Sequence, residues 1–267
     1  FYNQKTLGHV EAGLRTWNKY SPFPEEMNRQ MTDDLCDIYF APTELSKKNL
    51  LKQNHPSDQI YVTGNTAIDA MHETIKDDYR HEIFNDLDPR KKMVLLTMHR
   101  RENQGSKMFE AIREVVLKRN DVQVVYPVHL SPKVQEAAHE VFDDVKDVHL
   151  IDPLDVVDFH NLQAKSSFIM SDSGGVQEEA PALHKPVLVL RDTTERPEGV
   201  SAGTLKLVGT NGENVKKEML RLLDDEEEYQ RMANAKNPYG DGHACERILD
   251  AIAYYFKRTD VRPKDFV

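Results

Sequence analysis

Cysteine is scarce in this chain of 267 residues: Cys36 and Cys245 stand far apart, with no CxxC between them. That argues against a disulfide scaffold and against cysteine metal clusters, and two ordinary thiols in a reducing cytoplasm are expected. Basic charge is also short, since 35 Lys and Arg against 45 Asp and Glu leave a net charge of −10. An acidic chain lacks the basic face that nucleic acid or an anionic membrane surface requires, so neither partner is expected. Any anionic ligand must then be held by a local constellation. No apolar run approaches the ~20 residues of a membrane helix, and no signal peptide is recognisable. GxGxxG and GxxxxGK[ST] are both missing, which argues against a nicotinamide cofactor and against a P-loop ATPase. The eleven histidines are scattered, and HEVFD at His139 is not HExxH. No metal and no cofactor is expected.

Short apolar runs are plentiful. LGHVE, DIYFAP, QIYVTG, MVLLTMH, VQVVYPV, VHLID, SSFIMSD, PVLVLRD and TLKLVG read as strands. TELSKKNLLKQN, NTAIDAMHETIK, SKMFEAIREVVLKR, SPKVQEAAHEVF and GVQEEAPAL read as amphipathic helices, with caps expected at Thr43, Ser131 and Asp155. The tail from NVKKEML through ACERILDAIAYYFKR also reads as helical. Strand and helix alternate, which predicts an α/β fold with parallel sheets. Nine strands exceed an ordinary sheet, so two doubly wound domains are expected, joined in the polar stretch at about residues 70–90.

The segment MSDSGGVQEEAPAL, residues 170–183, carries the first chemical signal. Two glycines stand where a strand hands over to a helix, the usual ligand position in an open parallel sheet. Gly174 and Gly175 let backbone approach a ligand, and unpaired N–H groups with a positive dipole end favour a phosphate. The Ser173 hydroxyl can add a bond. Glu178 and Glu179 repel an anion but accept bonds from a diol, so a nucleotide satisfies both ends. The alternative is a tight turn that needs glycine for its backbone alone. Downstream, RDTTERPEGVSAG (residues 191–203) reads as a polar loop whose Arg191 and Arg196 suit a phosphate, or else as a solvated salt-bridged loop.

Together HVEAGLRT, PFPEEMNRQ, VTGNTAID, HRREN, YPVH, SDSGGVQEEAP and RDTTERPEG resemble, in order and nearly end to end, the bacterial non-hydrolysing UDP-N-acetylglucosamine 2-epimerases. The resemblance implies two Rossmann-like domains facing across a cleft, the GT-B architecture, with the first domain incomplete here. It implies residues 1–75 as the remainder of an N-terminal domain, 76–250 as the nucleotide-binding domain and 251–267 as a helix returning to the first. Family members carry a front section with a Gly-Thr-Arg-Pro-Glu turn and a catalytic aspartate, which this chain lacks; it is expected to be truncated and nearly inactive alone. UDP-GlcNAc, UDP-ManNAc and UDP are the implied ligands, and a cytoplasmic homodimer the implied assembly.

The family reaction inverts C2 of the sugar without NAD, by elimination of UDP to 2-acetamidoglucal and re-addition. That needs positioned acids and donors for the departing diphosphate. Glu11 ends the LGHVE strand and Glu25 opens the next helix, with Arg29 on the same helical face as a substrate ligand. Glu25 after Pro24 is otherwise an ordinary first-turn acid. His99 ends MVLLTMH and suits the leaving UDP. The resemblance further implies Phe159 beside the uracil, and Arg100 with His129 at a second, effector site. A UDP-sugar glycosyltransferase, a hydrolysing epimerase and an inactive sugar-nucleotide-binding fragment are the competing readings.

Overall fold

A computed structural model describes residues 1–98 and 106–267. The chain divides into two compact units, Phe1–His72 with Glu195–Glu198 and Asn237–Val267, and Glu73–Thr194 with Gly199–Lys236.

The first unit runs β1 (Gly8–Val10), α1 (Glu25–Leu35), β2 (Ile38–Ala41), α2 (Glu44–Lys52), β3 (Ile60–Val62) and α3 (Thr66–Thr74), whose last turn passes into the second unit. The strands form a three-stranded parallel sheet in the order β1-β2-β3, with Val10 opposite Phe40 and Phe40 opposite Tyr61. Thr43 caps α2 through a bond from the Ser46 N–H at 3.1 Å.

The second unit holds α4 (Ile83–Asp86), β4 (Lys92–Thr97), α5 (Ser106–Leu117), β5 (Val122–Pro127), α6 (Pro132–Phe142), β6 (Val148–Ile151), α7 (Val156–Lys165), β7 (Phe168–Ser171), α8 (Gly174–Ala182), β8 (Val187–Val189), α9 (Pro197–Ala202, its first two residues in the first unit), β9 (Leu205–Leu207), α10 (Gly212–Asp224) and α11 (Glu226–Ala233). Its six strands are all parallel, in the order β6-β5-β4-β7-β8-β9. Counted from β4 this is the Rossmann order, which reverses direction between β4 and β7. Both sheet faces are covered, so Val94, Leu95 and Leu96 of β4 are all fully buried and the strand reads as an unbroken apolar run. Phe109, Ile112 and Val116 of α5 and Val215, Met219 and Leu222 of α10 fill the main core with Val94, Leu96, Val124, Tyr126, Phe168 and Met170. No helix among the described residues is long and apolar enough to cross a membrane.

Three expectations need correction. The return to the first unit begins at Asn237, well before residue 251. The reason is α12 (Ala244–Tyr255), one continuous helix whose Ala251 packs with Ile38, Phe40 and Tyr61 while Ala244 N–H bonds Asp69 at 3.1 Å. Ser131 makes no side-chain capping bond: the Val134 and Gln135 N–H groups donate instead to its backbone C=O, at 2.9 and 3.0 Å. The polar loop after β8 contains the short helix α9.

Cys36 is buried and Cys245 exposed, and neither is in a disulfide. Burial first, then the charges of Asp33 and Asp37, pushes the Cys36 thiol up to about 11, so it stays protonated.

Candidate active site

In the second unit the glycine turn sits at the topological switch point. Ser171 ends β7, and its hydroxyl is 2.7 Å from Thr97 Oγ1 at the end of β4. Ser171 Oγ also accepts from Ser173 N–H at 2.9 Å, while Ser173 C=O accepts from Gln177 Nε2 at 3.1 Å. Ser173 is the extended N-cap residue of α8, yet its own side chain makes no capping bond. The turn is thus braced by neighbours, with the first N–H groups of α8 and the Ser173 hydroxyl left for a ligand.

Glu178 and Glu179 separate on the helix. Glu178 is 1% exposed, whereas the Glu179 side chain is 16% exposed and points back along α8. Its Oε2 accepts from Gln163 Nε2 at 2.8 Å and lies 3.8 Å from His160 Nε2, both on α7. A Cβ added at Gly175 would stand 3.2 Å from Glu179 Oε1, so this carboxylate borders the turn itself. Gln177 also accepts from Thr194 Oγ1 at 2.6 Å, tying the loop after β8 to α8.

Beside the turn opens a cavity of about 290 Å³ lined by Thr97, Met98, His129, Leu154, Phe159 and Ser173. Three expected residues, His129, Phe159 and Ser173, therefore share one hollow at the carboxyl ends of β4, β5 and β7. A larger hollow of about 610 Å³, lined by His81, Asp86, His139 and Asp155 among others, contains none of the expected site residues. His99 and Arg100 lie outside the described residues. Arg191 is buried in the second unit, but Arg196 belongs to the first, where it ion-pairs with Glu195 at 2.5 Å.

In the first unit Glu11 and Glu25 are both exposed. Glu11 follows β1 with φ +67° and accepts from Asn65 Nδ2 at 2.9 Å. Glu25 opens α1. Arg29, one turn on, has a fully buried Nη1 without a hydrogen-bond partner among the described residues, a costly state.

Around them lies a network that the sequence reasoning missed. Asp33 is fully buried on α1 and accepts from Arg15 Nη2, from His9 Nδ1 at 2.5 Å and from Gly13 N–H at 3.3 Å. Burial alone pushes its carboxyl up, but the His9 and Arg15 bonds and the Arg15 charge outweigh it, leaving the pKa below the ordinary Asp value. Glu26, also fully buried, accepts from Thr16 N–H at 2.9 Å and Trp17 N–H at 3.1 Å. Gly13 is required where it stands: with φ +85°, an added Cβ would meet Ser46 O at 2.2 Å.

Two Rossmann-like units, one with a glutamate beside a switch-point glycine turn, place the protein in the GT-B class. Residues 1–253 match the family described as UDP-N-acetylglucosamine 2-epimerase, and the chain belongs to that family. It is 59% identical to the UDP-N-acetylglucosamine 2-epimerase of Bacillus subtilis, over all of this chain and 70% of that protein. Among solved structures, S. aureus MnaA in a co-structure with UDP is similar with a TM-score of 0.97 at 52% identity, covering all of this chain and 74% of that one. UDP-GlcNAc 2-epimerase from Neisseria meningitidis, bound to UDP-GlcNAc, has a TM-score of 0.89 at 45% identity, covering 94% of this chain and 71% of that one.

Proposed function

We propose that this protein interconverts UDP-GlcNAc and UDP-ManNAc in the cytoplasm, as a homodimer, without NAD or metal. The observation that carries the nucleotide half is the Glu179 carboxylate held at the edge of the Ser173-Gly174-Gly175 turn. The diphosphate caps α8 through the turn's N–H groups and the Ser173 hydroxyl. Ribose hydroxyls donate to Glu179, and the uracil enters the hollow beside Phe159. Arg196 and Arg29 serve the diphosphate and sugar.

The chemistry is elimination and re-addition. One of Glu11 and Glu25 takes the C2 proton as the C1–O bond breaks, and the bonding electrons leave with UDP to give 2-acetamidoglucal. UDP re-adds at C1 while the other acid delivers a proton to the opposite face of C2. His99 stabilises the leaving diphosphate, and Arg100 with His129 serves an effector site. Elimination and re-addition pass no hydride to a carrier, and the sequence has neither metal-ligand spacing nor a dinucleotide turn, so turnover is expected to persist in EDTA and without added NAD. Activity that collapses in EDTA and returns with a divalent ion contradicts this.

The nucleotide assignment is tested by Glu179→Ala. Loss of the ribose bonds is expected to weaken UDP by ~1–3 kcal/mol, and inorganic diphosphate much less, measured by calorimetry. Equal losses for both ligands overturn the ribose role.

A further inference from the structure

Helix α1 is built inside out. Its buried side carries Glu26 and Asp33, both fully buried, with Arg29 and Gln30 half-buried between them, while Met27, Met31 and Leu35 are 36%, 52% and 49% exposed. Positions 26, 29, 30 and 33 share one face by helical spacing, so a charged stripe occupies the place where a core-facing helix carries apolar side chains. Local rules are broken in this way where a site requires it.

The stripe has one target. Every backbone N–H that Glu26 and Asp33 accept belongs to the loop between Glu11 and Trp17: Gly13 N–H at 3.3 Å on Asp33, Thr16 N–H at 2.9 Å and Trp17 N–H at 3.1 Å on Glu26. Arg15 from the same loop and His9 from β1 complete the Asp33 end, and Gln30 Nε2 orients Glu26 from one turn away at 2.9 Å. The loop holds two residues with positive φ besides Gly13, namely Glu11 at +67° and Trp17 at +62°. Such a backbone persists where its surroundings over-determine it. Two buried carboxylates at two levels of one helix do so here.

We propose that Glu26 and Asp33 are positioning residues, which lock the loop carrying Glu11 onto the helix that begins with Glu25 and so hold the two acids in one fixed relation. The proposal rests on the reading of Glu11 and Glu25 as the reacting acids. Neither positioning residue need touch the substrate. A misplacement of about 1 Å is enough to cost on the order of 10²-fold in rate, so a loosened loop registers in turnover before it registers in binding.

The test is a double-mutant cycle in the intact protein, with kcat and KM for UDP-GlcNAc, Kd for UDP and the melting temperature measured for each variant. Glu26→Gln is expected to lower kcat per folded enzyme by about 10–100-fold and to leave the UDP Kd within about twofold. Glu11→Gln is expected to lower kcat by ~10²–10⁴, and adding Glu26→Gln to it should cost almost nothing more, because the residue acts through Glu11. Asp33→Asn should follow the same pattern. Should either variant fail to fold, Gln30→Met, which deletes only the bond orienting Glu26, carries the same test with a smaller loss. Folded Glu26→Gln and Asp33→Asn enzymes of normal kcat, beside an inactive Glu11→Gln, overturn the proposal alone, as do losses that multiply in the double variant. Full turnover in both Glu11→Gln and Glu25→Gln overturns the reading of the acids, and the proposal with it.

Discussion

Glu178 and Glu179 are adjacent in sequence, yet one is sealed in the second unit and the other borders the glycine turn. The pair was legible as an oddity beside a glycine turn, and helical geometry decides which member borders that turn. The same step of one residue separates Glu25 from Glu26, the first exposed and the second fully buried on two backbone N–H groups. Sequence reading stopped at Glu25 because Glu26 passes for a second first-turn acid. If Glu11 and Glu25 handle the C2 proton, Glu25→Gln, like Glu11→Gln, should cut kcat by ~10²–10⁴ in steady-state assays. UDP affinity should barely change, because these side chains are assigned to the sugar. A loss of UDP affinity matching the loss of turnover would remove them from proton transfer.

At the scale of elements, the apolar strands were legible as runs because parallel strands covered on both faces admit no polar alternation. The inner face of α1 was not legible: Asp33 precedes Asp34 and reads as solvated, and only the fold brings His9, Gly13 and Arg15 to it. Its depressed carboxyl makes a signed prediction. A group whose folded pKa lies below its unfolded value stabilises fully above the unfolded pKa, about 3.9 for Asp, and loses that contribution as pH falls through the folded pKa. Asp33→Asn, which breaks a buried pair with Arg15, should cost on the order of 3 kcal/mol at pH 7. The gap to the native protein should narrow as pH drops below about 4, in urea melts at the two pH values. A gap that widens on acidification contradicts the charge state assigned to Asp33. In α8, Gly175→Ala sets a methyl 3.2 Å from Glu179 Oε1 and must displace that carboxylate. UDP binding should weaken, and inorganic diphosphate binding with it, because the methyl also enters the turn assigned to the diphosphate, unlike Glu179→Ala.

The chain as a whole is two units of unequal size crossed several times by the backbone, and the crossings were the least legible feature. Arg196 follows β8 of the second unit in sequence, yet it groups with the first unit and pairs with Glu195, because tertiary grouping does not follow sequence neighbourhood. Conversely, the six-stranded order turned a sequence-level glycine turn into a switch-point site that no local pattern specifies. The central claim, that two acids in the first unit invert C2 while the second unit holds the departing UDP, is tested most directly in heavy water. The intact protein is incubated with UDP-GlcNAc, and deuterium at C2 is followed by NMR. The account predicts deuterium at C2 of both UDP-GlcNAc and UDP-ManNAc, abolished by Glu11→Gln or Glu25→Gln; UDP-ManNAc formed with its original C2 proton would contradict it.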